Sequence, residues 1–184
     1  MKWLPCAMLL AASPAWCVSY TIDPAHTYPG FEIDHLGFST QRGQFDRSSG
    51  TIAMDLLAHT GRLEIHVDTG SLDTGQDERD EVLKGPEWFQ AQRYPEMVYR
   101  SERFLFDGDR LTAIEGTLEL LGQSHPLKLE ITRFKCGLNL AAKKRGCGAD
   151  ATGLLRRSEY GMKTGLPFVG DEVKLHIQAE AYLP

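Results

Sequence analysis

Regular alternation of apolar and polar residues recurs along this chain and limits its folds more than any other feature. In residues 62–68 every second residue is apolar, so the apolar side chains of an extended strand share one face. The same period of two returns in residues 126–132 and in residues 173–182. Sheets that bury one face and leave the other in water are antiparallel, so the pattern predicts an all-β domain of antiparallel strands.

The period changes between residues 74 and 95, where the sequence predicts one short helical segment near residues 75–92. Thr74 precedes an acidic run at residues 77–81, and a side-chain oxygen followed by acids favours a helix N-terminus. The sequence Lys-Gly-Pro at residues 84–86 then ends the helix. About eight strands and this helix fit either a two-sheet sandwich or a closed barrel. The periodicity does not separate the two folds.

The interior of either fold is aliphatic and aromatic, because the alternating inward positions carry those residues. A barrel of roughly eight strands encloses enough room for one small ligand. The same side chains fill a solid core equally well. We therefore expect any guest to be apolar, and the sequence leaves a hollow and a packed interior open.

The first residues have the order of a secretory signal peptide. One lysine precedes a mostly apolar stretch and a run of small residues, and at about ten residues the stretch is too short to span a membrane. We expect residues 1–17 to be removed and residues 18–184 to form a single domain, exported to the periplasm or secreted. Cleavage after Ala15 and cleavage after Cys17 both fit the pattern.

Two cysteines, Cys136 and Cys147, lie outside the predicted signal peptide, with ten residues between them. In an oxidising compartment, a disulfide that closes such a loop adds about 3 kcal/mol to the free energy of unfolding. A metal or redox site is the alternative, but the pair lacks both CxxC spacing and a nearby histidine. The sequence predicts a structural disulfide and no metal site.

Signatures of the common enzyme classes are absent from the sequence, including the nucleophile elbow, the phosphate-binding loop and the HExxH zinc motif. The formal net charge is −5, without a long basic run, so no nucleic-acid partner is expected. His26 and His35 are the two histidines with a plausible functional role. His35 continues the apolar face of Phe31 and Ile33, which equally fits a hydrogen-bonded core residue.

Short motifs occur along the chain in an order that is more specific than any one of them. They are Tyr20-Thr-Ile-Asp23, His26-Thr27, Phe31-Glu-Ile-Asp-His35-Leu-Gly37, Gly43-Gln-Phe45, Arg79-Asp80, Trp88-Phe89, Tyr94-Pro95, Gly116-Thr-Leu118, Arg157-Ser-Glu-Tyr-Gly161 and Val169-Gly-Asp-Glu-Val173. This series resembles the YceI-like family of exported bacterial proteins over residues 18–184. The resemblance implies an extended, lipocalin-like antiparallel β-barrel whose apolar tunnel binds a polyisoprenoid chain or an isoprenoid quinone. It also implies a carrier or storage role rather than catalysis, and no required cofactor.

The predicted ligand-binding residues are the apolar side chains expected to line the tunnel and a few polar groups expected to orient the ligand. The apolar set is Phe31, Ile33, Phe45, Leu63, Ile65, Trp88, Phe89, Met97, Tyr99, Leu118, Leu120, Leu127 and Leu129. The polar set is His35, Arg157 and Ser158. Core packing is the alternative for each aromatic residue, and an ion pair with Asp80 is the alternative for Arg157. Val82 stands where the family often has histidine.

Two other functions remain open at this level. One is an interaction module with a packed barrel, whose partner is a membrane redox protein. The other is an enzyme that acts on a quinone headgroup through His26 or His35. The sequence also leaves open transient contact with a membrane or membrane protein, and assembly into a homodimer.

Overall fold

The computed structural model describes residues 17–184, so the predicted signal peptide lies outside the described residues except for Cys17. The described chain forms one closed antiparallel barrel and one α-helix, which confirms the all-β prediction. The strands are β1 (Val18–Ile22), β2 (Tyr28–His35), β3 (Ser39–Phe45), β4 (Ser48–Asp55), β5 (Thr60–Asp68), β6 (Leu72–Asp73), β7 (Glu96–Asp107), β8 (Arg110–Leu120), β9 (Gln123–Asn139), β10 (Lys144–Arg156) and β11 (Val169–Tyr182), and the helix is α1 (Asp77–Lys84).

Eight strands close the barrel in the order β1-β4-β5-β7-β8-β9-β10-β11, and the ring is completed where β11 pairs with β1. Strands β2, β3 and β6 prolong β1, β4 and β5 beyond this ring, and β2 pairs with the first part of β11. A 3₁₀ turn at Pro24–His26 separates β1 from β2. Pro24 has no N–H for a strand ladder, and the Asp23 carboxylate accepts the N–H of Ala25 at 3.1 Å.

The connections gather at two ends of the barrel because the strands alternate in direction. We name one the helix end: it holds the β2–β3 turn, α1 with its flanking segments, and the β10–β11 connection at residues 157–168. We name the other the hairpin end: it holds the turns between β4 and β5, β7 and β8, and β9 and β10. The two ends differ in how the interior is filled.

Helix α1 occupies the first part of the predicted segment 75–92 and ends at the Lys-Gly-Pro sequence, whereas residues 86–89 and 91–93 form turns; its N-cap is Gln76 rather than Thr74. The Gln76 side chain accepts the N–H of Arg79, and acidic residues occupy the first turn. Thr74 instead donates its N–H to the buried carboxylate of Asp80 at 2.9 Å. Of the helical segments in the described chain, none has the length and apolarity that a membrane-crossing helix requires.

Cys136 and Cys147 face each other across β9 and β10 and form a disulfide, as predicted. A β-bulge near Asp150 shifts the register of this pair of strands. One extra residue in β9 shifts the alternation, so that the next inward side chain after Ile131 is Phe134. Cys136, two residues further on, then also faces inward, and the disulfide packs against the core. The basic tip of the hairpin is exposed.

Large side chains fill the barrel at the hairpin end. Met54, Phe104, Leu111 and Cys147 are buried there in one hydrophobic cluster, which we name the plug. The Phe104 ring lies so close to Gly61 on β5 that a Cβ at that glycine would stand 2.5 Å from it. A side chain at position 61 would therefore displace the ring from the plug.

The outer face of the barrel is charged, as the alternation predicts. His66 lies between Glu96 and Glu64, with nitrogen–oxygen distances of 3.0 and 2.9 Å. The hydrogen bond with Glu96 raises the pKa of His66, and the hydrogen bond with Glu64 adds to this effect. Partial burial of the ring acts in the opposite direction but is outweighed. Arg100 bridges Glu64 and Glu119 beside it. These groups face solvent and leave the interior to apolar side chains.

Candidate functional site

A cavity of about 390 Å³ occupies the barrel between the plug and the helix end. Inward-facing residues of β2, β5 and β7 to β11 surround it, because alternation places every second side chain inside. Pockets that hold small ligands in proteins have volumes of about 300–1,000 Å³. The barrel is therefore hollow over this part of its length.

Every predicted ligand-binding residue except Ser158 lines this cavity. They are Phe31, Ile33, His35, Phe45, Leu63, Ile65, Trp88, Phe89, Met97, Tyr99, Leu118, Leu120, Leu127, Leu129 and Arg157. Their contact with a ligand stays a prediction. Ser158 lies elsewhere: its hydroxyl donates to Asp171 at 2.8 Å and its N–H to the same carboxylate at 2.9 Å. Its position does not favour the expected role in orienting a ligand.

The sequence reasoning missed the wall that β10 and β11 contribute. The additional lining residues on these strands are Ala149, Ala151, Leu155, Val169, Val173, Leu175, Ile177 and Ala179. The alternation in residues 173–182 was the signal that could have found the β11 members. The alanines carry no such signal, since their small size matters only where they face an open interior.

Aromatic rings form one side of the cavity near the helix end. Phe45 packs between Phe31 and Phe89, with ring centroids 6.0 and 5.4 Å apart. Phe31 reaches across Gly43 on the neighbouring strand, where a Cβ would stand 2.5 Å from the ring. Glycine at this position therefore lets the Phe31 ring lie against the wall rather than across the cavity.

Tyr99 places a hydroxyl inside the barrel without making the cavity polar. The hydroxyl donates to the carbonyl oxygens of Leu127 at 3.0 Å and Ile114 at 3.2 Å. Burial of the side chain raises the pKa of Tyr99 far above its ordinary value, so the phenol is neutral at physiological pH. The single hydroxyl proton is already shared with the wall, so Tyr99 has no hydrogen-bond donor left for a ligand.

Arg157 is buried at the helix end, with 2% of its surface exposed. Its guanidinium donates to four backbone carbonyls of the β10–β11 connection and the start of β11, namely those of Met162, Thr164, Val169 and Gly170. The guanidinium carbon also lies 5.1 Å from the centre of the Trp88 ring. Burial, opposed by the charge of Asp171, lowers the pKa of Arg157.

The ion pair with Asp80, which was the alternative for Arg157, is not formed. Asp80 accepts hydrogen bonds from Thr74, and Arg157 is satisfied by backbone carbonyls of the loop that it holds in place. Arg157 thus fixes this loop. Its guanidinium lies over the Trp88 ring, and both residues line the cavity. Trp88 forms part of the cavity wall.

The mouth of the cavity lies at the helix end. Three lining residues are exposed, and all belong to this end: His35 in β2, Arg42 in β3 and Val82 in α1. The sequence placed His35 on a buried apolar face, but the strand reaches the rim before His35 and leaves its side chain in solvent. Polar side chains that line the cavity therefore concentrate near its opening.

Side chains, rather than a complete strand ladder, close the wall beside the mouth. Strand β3 pairs with β6 only at Gln44 and Phe45. Arg79 of α1 spans the remaining gap, with Nη1 donating to Gln41 Oε1 at 2.6 Å and Nε donating to Thr74 Oγ1 at 2.8 Å. We name the Arg79–Gln41 hydrogen bond the latch, because it joins the helix to the free edge of β3.

His26 does not line the cavity. It belongs to a cluster with Asp23 and Glu180 whose potential metal-ligating atoms lie within 4.8 Å of one another. His26 Nδ1 is 2.7 Å from the Asp23 carboxylate, and the Glu180 carboxylate accepts the hydroxyl of Tyr182. These side chains are already paired with protein groups, away from the cavity.

The sequence matches a family model described as the YceI-like domain over residues 20–181. It is 30% identical over 177 residues to protein YceI of Escherichia coli O6:H1, an alignment that covers 95% of this chain and 92% of that protein. Protein YceI of Salmonella arizonae is 29% identical over the same length.

Two solved structures share the fold. BcnA of Burkholderia cenocepacia superposes with a TM-score of 0.75 at 21% identity, over 86% of this chain and 98% of BcnA. A polyisoprenoid binding domain from Saccharophagus degradans, implicated in plant cell wall breakdown, gives a TM-score of 0.67 at 17% identity, over 90% of this chain and 98% of that domain. Since the family model spans almost the whole barrel, this chain belongs to the YceI-like family.

Proposed function

We propose that this protein is an exported carrier or storage protein that holds a polyisoprenoid chain or an isoprenoid quinone inside its barrel. The observation that carries the proposal is the cavity itself: about 390 Å³, lined almost wholly by apolar side chains, with a mouth at one end. Membership of the YceI-like family and the shared fold of a polyisoprenoid binding domain support it.

The size of the cavity suits several prenyl units. An apolar cavity of roughly 150 Å³ holds one benzene molecule, so this one has room for about three five-carbon units. At about 0.8 kcal/mol for each buried CH₂ group, such a tail gains roughly 10 kcal/mol before the costs of association. This gain comes from apolar surface alone and requires no polar contact inside the cavity.

The distribution of polar groups gives the ligand an orientation. The buried part of the cavity presents aliphatic and aromatic surface, whereas His35 and Arg42 lie at the mouth. A prenyl tail therefore enters first, and its headgroup remains at the helix end beside these residues. Binding of this kind needs no chemical step.

The two alternatives from the sequence fit the geometry less well. A packed interaction module does not account for an open cavity of this volume. An enzyme that uses His26 would need that residue beside the ligand, but His26 lies outside the cavity. For His35, replacement by alanine with retention of the bound lipid would separate binding from catalysis.

Lipid extraction followed by mass spectrometry tests the proposal. The full chain, expressed with its own N-terminal residues and purified without detergent, should carry a prenyl lipid. Ala151→Trp places a large ring in the cavity and should remove that lipid, because Ala151 lines it on β10. Thr152→Trp, on the opposite face of the same strand, is the matched control and should retain it. Wild-type protein without any prenyl lipid would contradict the proposal.

Export is tested by the same preparation. The mass of the mature chain shows whether cleavage follows Ala15 or Cys17, and cell fractionation shows where that chain accumulates. An uncleaved cytoplasmic protein would contradict export while leaving the ligand assignment to the extraction experiment.

A further inference from the structure

Exposed apolar side chains surround the mouth of the cavity. At the helix end, Phe38 is 90% exposed, Phe168 67%, Val82 61% and Leu36 48%. We name these four residues the apolar rim. They belong to three separate segments of the chain: the β2–β3 turn, α1 and the β10–β11 connection.

Contacts of the backbone place the apolar rim at the opening. The N–H of Leu36 donates to the carbonyl of Phe168 at 2.8 Å, so these two segments lie side by side. His35, directly before Leu36, pairs with Val169, directly after Phe168, and both line the cavity. Val82 belongs to the cavity lining as well as to the rim. The cavity therefore opens among these side chains.

The position of the rim fits a lipid phase as its occupant. Its side chains come from the β2–β3 turn, α1 and the β10–β11 connection, and they surround the opening of a cavity lined by apolar side chains. An exposed aromatic ring at the tip of a turn has an unfavourable hydration free energy in water, and this cost is removed when the ring enters the acyl region of a bilayer.

We propose that the helix end docks on a lipid bilayer through the apolar rim, so that the mouth faces the membrane. This inference rests on the proposed function, since a prenyl lipid that leaves a bilayer through such a mouth does not have to cross water. The docked protein exchanges its ligand directly with the membrane.

The charges near the mouth indicate that attachment is apolar rather than electrostatic. Arg42 is paired with Glu32 at 3.0 Å, and the first turn of α1 carries Asp77 and Glu78. The whole chain has a net charge of −5. We therefore expect binding to depend little on ionic strength or on anionic lipid.

Flotation with protein-free vesicles tests the docking. Wild-type protein should float with phosphatidylcholine vesicles, and addition of phosphatidylglycerol or salt should change the bound fraction little. Phe38→Ser together with Phe168→Ser should lower the partition coefficient by about tenfold or more, because two large apolar side chains are lost from the contact. An unchanged thermal midpoint should accompany this loss, since both side chains are exposed.

A matched control is available at the hairpin end, where Leu57 is 98% exposed and Leu140 is 80% exposed. Leu57→Ser together with Leu140→Ser should float like wild type. Three results would overturn the docking proposal: equal loss in both double variants, absence of wild-type binding to protein-free vesicles, or binding only to vesicles that contain membrane proteins. The last result would indicate a protein partner.

A separate measurement distinguishes this proposal from the proposed function. Binding of the short prenyl alcohol farnesol in solution, followed by the fluorescence of Trp88 in the cavity wall, needs no vesicle. The Phe38→Ser, Phe168→Ser variant should bind farnesol like wild type. If wild type binds farnesol but no vesicle, the docking proposal fails and the carrier function stands. If wild type binds vesicles but no farnesol, the carrier function fails and the docking proposal stands.

Discussion

The two ends of this barrel follow the same alternation of residues but are filled differently. At the hairpin end, Met54, Phe104 and Leu111 are buried in the core without lining the cavity, and the disulfide ties β9 to β10. At the helix end, the inward residues leave a cavity, and side chains from α1 and the β10–β11 connection close part of the wall. The comparison teaches that the open interior is confined to one end of the barrel, because a few large side chains fill the other end.

Phe104→Ala gives the largest expected effect. Loss of a buried ring from the plug should lower the free energy of unfolding by about 3–5 kcal/mol, measured by chemical denaturation. Phe104 pairs with Ile114, which lines the cavity, so the variant should also extend the cavity and take up longer prenyl chains. Phe31→Ala is the control, and it should destabilise less because its half-buried ring already borders open space. Equal destabilisation by both changes would contradict a filled end and a hollow end.

Removal of the disulfide by Cys136→Ser and Cys147→Ser tests the same end. The unfolded chain regains the entropy of a short loop, so the free energy of unfolding should fall by about 3 kcal/mol. Binding of farnesol should change little, because neither cysteine lines the cavity. Wild-type protein unfolded under reducing conditions should match the variant. A loss of ligand binding would show that the two ends are coupled more tightly than we infer.

Arg157→Met should weaken the helix end by about 2 kcal/mol, because it leaves buried backbone carbonyls without their donor. Amide hydrogen exchange should increase in residues 161–170, while β9 and β10 near the disulfide keep their protection. Arg156→Met, at the exposed neighbouring position, is the control. Uniform loss of protection across the barrel would contradict a separately held loop.

Arg79→Ala gives the smallest change in stability, below about 1 kcal/mol, since it removes hydrogen bonds of a half-buried side chain. The rate of ligand exchange should nevertheless rise several-fold, because the latch between α1 and β3 is lost. Stopped-flow displacement of a fluorescent prenyl analogue measures this rate. Arg103→Ala, which removes an exposed arginine that pairs with Glu115 and does not line the cavity, should leave the rate unchanged. If both variants exchange ligand at the wild-type rate, the latch does not control access.

Much of the barrel was predictable because it depends on neighbours in sequence. Alternation identified inward residues such as Leu63 and Leu127, and cysteine spacing identified the disulfide. His35 shows the limit of this reasoning, because a periodic pattern does not reveal where a strand reaches the rim. The bulge near Asp150 shows another limit. Strict alternation from Ile131 would turn Arg133 and Lys135 inward, but one extra residue in β9 turns Phe134 inward instead.

The sequence by itself determined which residues of the regular strands face inward, where the helix lies and which cysteines join, since each follows from local periodicity, capping or chemistry. Only the tertiary structure decided that the interior is open at one end and filled at the other. It also decided that Arg157 holds backbone carbonyls rather than Asp80. The physical reason is that filling and pairing depend on distances across the barrel, between side chains from strands far apart in sequence, and the alternation of one strand carries no information about the side chain opposite.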